Sequence, residues 1–199
     1  MLQSGALLLI NSFTFAFRLK DFCYITVYNS HYYSMFNRDT RTAFSFTDSL
    51  FLFALESEAG DHFNDHNKLI TGIGKVAAAY ALTKAIHTQK PKLIVNLGSA
   101  GSNFFKRGTV VCCTQFIQRD MDVRPLGFEL YETPLSGIPP VLKYGLTMDG
   151  LPEGICGTGD HFDTNHTTTA YNLVDMEAYA LALVAMQENI PFLCLKYIS

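Results

Sequence analysis

From Ser49 onward the sequence repeats one pattern: a short apolar run that ends in Gly, Ser or an acid, followed by a segment with helical character. Apolar runs of this length bounded by turn residues read as buried strands, and their alternation with helical stretches is the grammar of an α/β domain. Strands are expected at 50–55, 68–71, 93–96, 109–117, 154–157, 172–174 and 192–198. Helices are expected at 75–87 and 177–188. The first should bury Val76, Ala79, Tyr80 and Ile86 along one face, whereas the second is apolar nearly all round and should be enclosed. The fold class is therefore α/β: one domain with a mixed central sheet flanked by helices.

Composition narrows the function. With 199 residues, 48% hydrophobic and 17% charged, the chain can bury a core as one globular domain. Its net charge of -3 offers no basic stripe for nucleic acid or an anionic membrane. Five cysteines, Cys23, Cys112, Cys113, Cys156 and Cys194, lie in apolar runs without a C-x-x-C pair, as expected of buried thiols in the cytoplasm. The run Ala6-Leu7-Leu8-Leu9-Ile10 lacks the preceding positive charge of a signal peptide, and no stretch of about 18 unbroken apolar residues is present. Residues 1–47 contain 11 of the 26 aromatic residues and show no clear period, so they read as an extension of uncertain order ahead of a domain at 48–199.

Four turns fall at strand ends, where open α/β sheets place ligands. They are Ala54-Leu55-Glu56-Ser57-Glu58-Ala59, Thr71-Gly72-Ile73-Gly74-Lys75, Leu97-Gly98-Ser99-Ala100-Gly101-Ser102 and Gly157-Thr158-Gly159-Asp160-His161-Phe162. A fifth segment, 174–182, sets Asp175 and Glu177 against an apolar run. Such acids serve either as first-turn partners of the helix dipole or as working carboxylates, because an unpaired buried charge costs several kcal/mol. Each turn alone is also compatible with simple packing. His62 and His66 are spaced as on a metal-binding helix, but Phe63 stands where a zincin needs Glu, so no metal site is expected.

Taken in order, Ala-Leu-Glu-Ser-Glu-Ala, Thr-Gly-Ile-Gly-Lys-Val, Asn-Leu-Gly-Ser-Ala-Gly, Thr-Gly-Asp-His-Phe and Val-Asp-Met-Glu-Ala resemble the nucleoside phosphorylase superfamily. Within it they resemble the 5′-methylthioadenosine/S-adenosylhomocysteine nucleosidases. The resemblance covers residues 48–199. It implies a three-layer sandwich, hydrolysis of the N-glycosidic bond of 5′-substituted adenosines to adenine and a thioribose, no cofactor, and a homodimer. It also implies roles. Glu58 would activate the attacking water; Ser99, Ala100, Gly101 and Ser199 would line the pocket; Phe162 would stack on the purine; Met176 and Glu177 would meet the ribose, with Glu177 accepting from its hydroxyls.

The resemblance implies that the general-acid Asp and a last helix follow Ser199. The 199-residue chain is accordingly expected to be inactive or nearly so, with one sheet face uncovered. Phosphorylases of the superfamily carry a Gly-Asp-Pro-x-Arg type element after the first strand, where this chain reads Glu-Ser-Glu-Ala-Gly-Asp; two carboxylates repel phosphate, which favours water as nucleophile. A phosphate-using phosphorylase and a non-catalytic nucleoside-binding protein are the alternatives. The segment 120–128 resembles the family loop near the 5′ end, with Asp120 and Asp122 on one face of an extended stretch.

Overall fold

The computed structural model describes residues 46–163 and 168–199, together with the backbone of three strands before them. Those strands are β1 (Ser12–Phe17), β2 (Cys23–Tyr28) and β3 (Met35–Phe36); β1 and β2 form an antiparallel hairpin. The aromatic stretch 1–47 thus contains strands that its lack of period did not indicate. Apart from residues 46 and 47, the rest of that stretch lies outside the described residues.

The main elements follow in order: β4 (Ser49–Phe53), α1 (Glu56–Ala59), β5 (Lys68–Ile70), α2 (Lys75–Thr88), β6 (Leu93–Ala100), β7 (Val110–Gln118), β8 (Leu142–Lys143), β9 (Thr147–Met148), β10 (Glu153–Thr158), β11 (Leu173–Asp175), α3 (Ala178–Gln187) and β12 (Phe192–Ile198). Every predicted strand and both predicted helices are present within a few residues of their expected bounds. Helix α1 and the two-residue strands β8 and β9 are additional, and β9 pairs with β3.

The large sheet has the order β11-β10-β7-β12-β6-β4-β5, with β8 beside β7. Strands β12, β6, β4 and β5 run parallel, as do β7, β10 and β11, and the two groups meet antiparallel where β12 pairs with β7. The far end of β6 then bends across to β11: Gly101 and Val174 exchange backbone hydrogen bonds at 3.0 and 2.8 Å. This bridge partly closes the sheet on itself. It brings the C-terminal ends of two oppositely running strand groups to one mouth.

Strands β4 and β12 are buried along their whole length, so both faces are covered and their sequences are continuously apolar rather than alternating. On one face Leu50, Leu52, Ile94, Phe192 and Cys194 pack with α2 and α3. On the other, Phe51, Phe53, Val95 and Leu195 pack with Ala59, Phe63 and Leu146, which come from α1, the 3₁₀ turn Asp61–Phe63 and the 142–151 region. The uncovered sheet face expected above is not found at β4 or β12.

Helix α2 starts after two positive-φ glycines, Gly72 at 78° and Gly74 at 92°, which turn the chain sharply out of β5. Its Ala-rich sequence favours helix. The buried residues are Ala78, Leu82 and Ile86, four apart on one stripe, while Val76 and Tyr80 are 80% and 70% exposed. The predicted apolar face is therefore displaced: the stripe that meets the sheet is the one whose small Ala78 permits close approach, not the one with the larger residues. Helix α3 buries six of its ten residues, with Leu183, Val184 and Met186 half-buried, and the chain leaves it through Asn189, which adopts a left-handed φ of 54°.

Candidate active site

The mouth formed by strand closure opens on a cavity of about 420 Å³. Its walls include Glu58, Ser99, Ala100, Gly101, Phe162, Met176, Glu177 and Ser199, so the structure brings together every site residue expected from the sequence. Asn103, Arg119, His161 and Asp163 join them.

Glu58 stands at the third position of α1. Its Oε2 accepts from the amides of Ala54 at 3.0 Å and Leu55 at 3.2 Å, the backward reach of a capping box. Its Oε1 accepts from the amide and hydroxyl of Ser99, both at 3.2 Å. Four donors therefore fix this carboxylate across two strand ends, and only the Ser99 hydroxyl is a free rotor. Glu56, its neighbour in the same motif, faces outward and pairs with Lys68 at 3.3 Å. A Cβ added at Gly98 would lie 3.3 Å from Lys196 Nζ and 3.5 Å from Glu58 Oε1, so a bare backbone there keeps the two side chains in place.

Glu177, where the helix was expected to start, is instead the N-cap residue one position before α3, and is 8% exposed. Its Oε1 accepts from the Gly74 amide at 2.9 Å. The glycine turn that suggested a ligand-binding loop thus directs an amide to a protein carboxylate. Burial, with the neighbouring charge of Asp175, pushes the Glu177 carboxyl up to about 6.

Asp175 takes the structural role. Its Oδ2 accepts from Lys196 Nζ and from the Ala178 amide, both at 2.8 Å, and its Oδ1 accepts from the Thr158 hydroxyl at 2.6 Å. Burial opposes its charge, but Lys196 and these donors hold the carboxyl below the usual range. Lys196 in turn stays protonated: Asp175 outweighs the effect of its burial and raises it well above the ordinary value. Lys196→Met should leave Asp175 as an uncompensated buried charge and cost roughly 3–5 kcal/mol. Thermal denaturation should show a Tm lower by roughly 6–20 °C; an unchanged Tm would mean the pair contributes nothing.

Behind Glu177, Lys75 forms ion pairs with Asp120 and with Asp160, the latter at 3.6 Å, and the Lys75 amide donates to Asp160 at 2.8 Å. Asp120 and Asp122 do not share a face of an extended segment. The chain turns at 119–120, directing Asp120 inward to Lys75 while Asp122 grips Arg124 in solvent at 2.6 Å. Arg119 and Asp163 were not singled out from the sequence, because a lone Arg at a strand end carries no motif. No group of three or more His, Cys, Asp or Glu among the described residues is placed to hold a metal ion.

The model of the phosphorylase superfamily matches residues 69–150, a stretch that includes the Gly74 turn and the Ser99–Ser102 strand end that lines the cavity. A 5′-methylthioadenosine/S-adenosylhomocysteine nucleosidase of Bacillus cytotoxicus is 31% identical over 175 residues, covering 73% of this chain and 75% of the relative. The chain belongs to the 5′-methylthioadenosine/S-adenosylhomocysteine nucleosidase family. It spans about two thirds to three quarters of the length of the curated relatives it matches. In fold it resembles the Campylobacter jejuni 5′-methylthioadenosine/S-adenosylhomocysteine nucleosidase, with a TM-score of 0.67, 19% identity and coverage of 76% of this chain and 85% of that one. A Borrelia burgdorferi protein solved with adenine bound is 28% identical, with a TM-score of 0.58 over 66% of each chain.

Proposed function

We propose that the protein hydrolyses the N-glycosidic bond of 5′-substituted adenosines such as methylthioadenosine, with water rather than phosphate as nucleophile. The observation that carries this reading is the charge of the cavity wall. Glu58, Asp163, Asp175 and Glu177 line it; Asp175 is paired with Lys196, and the cation among the lining residues, Arg119, is occupied by Gly159, His161 and Asp163, so Glu58 and Glu177 face the cavity without a cationic partner. An incoming phosphate would meet carboxylates and find no available guanidinium or ammonium among these lining residues.

As the C1′–N9 bond breaks, the departing adenine takes a proton from solvent and leaves an oxocarbenium-like sugar, whose positive charge nearby carboxylates stabilise. Glu177 accepts from the ribose hydroxyls through the oxygen not taken by Gly74, which fixes the ring. Rotation of the Ser99 hydroxyl frees one site on Glu58 for water, and Glu58 takes the proton as that water attacks C1′. Phe162, 87% exposed at the cavity rim, supplies a face for the purine. A cytoplasmic homodimer with no nucleic-acid or membrane partner completes the reading; four buried free thiols support the compartment, and a net charge of -3 the lack of a nucleic-acid partner. No helix among the described residues is long and apolar enough to cross a membrane.

The test is turnover of methylthioadenosine by the full-length polypeptide in ¹⁸O-labelled water, with and without added phosphate. Adenine and ¹⁸O-labelled sugar should form equally in both. A phosphate requirement, or a sugar 1-phosphate product, would replace hydrolysis with phosphorolysis.

A further inference from the structure

Phe162 is nearly fully exposed, so contacts of its own ring do not hold it at the cavity; the backbone on either side of it must. Arg119, at the end of β7, is the side chain that reaches that backbone. Its guanidinium donates to the carbonyl oxygens of His161 and, at 3.5 Å, of Gly159; it meets the His161 ring Nε2 at 2.7 Å and pairs with Asp163 at 3.7 Å. The side chain is only 2% exposed, and its Nε is buried without a hydrogen-bond partner among the described residues. The group lies flat against Gly159: a Cβ there would fall 2.9 Å from Cζ and 3.1 Å from Nε. A buried cation that leaves one N–H unsatisfied is costly, and a planar fork serving three residues of one loop is the return for that cost.

We infer that Arg119 is a positioning residue, clamping residues 159–163 so that Phe162 is presented as a fixed stacking surface for the base. The inference rests on the nucleosidase reading for the identity of the base, and on geometry alone for the clamp. Lys in place of Arg119 cannot serve three acceptors in one plane, and Gly159→Ala displaces the guanidinium while leaving its charge in the chain.

The clamp is tested by hydrogen exchange on the ligand-free protein. In Arg119→Lys and in Gly159→Ala, the amides of residues 160–163 should exchange at least tenfold faster, with those of β4 and β6 unchanged. Equal exchange in both variants overturns the clamp whatever the enzyme acts on. Its consequence is read from a double-mutant cycle on methylthioadenosine turnover. Arg119→Lys and Phe162→Ala should each raise KM about tenfold with kcat little changed, and the double variant should be no worse than Phe162→Ala alone. Additive effects, or a loss confined to kcat, would remove the link to Phe162. A wild type that neither binds nor cleaves methylthioadenosine, with loop exchange behaving as expected, would overturn the nucleosidase reading and with it the link to base stacking, leaving the clamp.

Discussion

Glu177→Gln should lower kcat/KM for methylthioadenosine by roughly 10²–10⁴-fold while making the protein more stable at neutral pH. The loss follows from hydrogen bonds between ribose hydroxyls and a charged acceptor, each contributing about 1.5–3 kcal/mol. The gain follows from the same burial that shapes the site. The folded carboxyl releases its proton at about 6 and the unfolded one near 4.5, so the folded state binds more protons between these values and stability falls as pH rises through them. Above about pH 6 the ionised Glu177 costs about 2 kcal/mol of folding free energy. Gln keeps an oxygen for the Gly74 amide and removes that cost. Denaturant unfolding at pH 7.5 should therefore favour the variant, with the difference vanishing toward pH 4.5. The activity of the wild type should fall below about pH 6 as Glu177 loses its charge. A variant that is both less stable and fully active would contradict each half of this account.

Glu58→Gln should lower kcat by roughly 10²–10⁴-fold, the usual range for removal of a general base, and leave KM much less affected. The amide still accepts from some of the Ala54, Leu55 and Ser99 donors, but it cannot take a proton from water, and its NH₂ group faces at least one donor that the carboxylate satisfied. Rapid quench with methylthioadenosine separates the two acids: Glu58→Gln should bind and fail to cleave, whereas Glu177→Gln should bind poorly. Equal KM changes in both would mean that Glu58 also holds substrate.

The strands of this fold are legible because most are apolar runs closed by a turn residue, and β4 and β12, covered on both faces, are the clearest of them. Strands β8 and β9 are not, since two residues carry no period. The face of α2 was misplaced because Val76 and Tyr80 weigh more in an apolar count than Ala78, although close packing favours the small side chain. Glu58 and Glu177 are visible as acids that interrupt apolar segments. Arg119 is not, because its partners lie about 40 residues away, in a loop brought to it by the parallel pairing of β7 with β10. The same holds for the Gly74–Glu177 hydrogen bond, which spans 103 residues.

The central claim is that the Glu177 carboxylate holds the ribose diol. Its most direct measurement is the affinity for methylthioadenosine and for its 2′,3′-dideoxy analogue, by calorimetry at pH 7.5, of the protein with and without Glu177→Gln, both in a Glu58→Gln background that binds without cleaving. The protein that retains Glu177 should lose at least a hundredfold in affinity when the hydroxyls are removed, and the one with Glu177→Gln should lose little more than a few-fold. An equal loss in both proteins would show that the diol is held elsewhere.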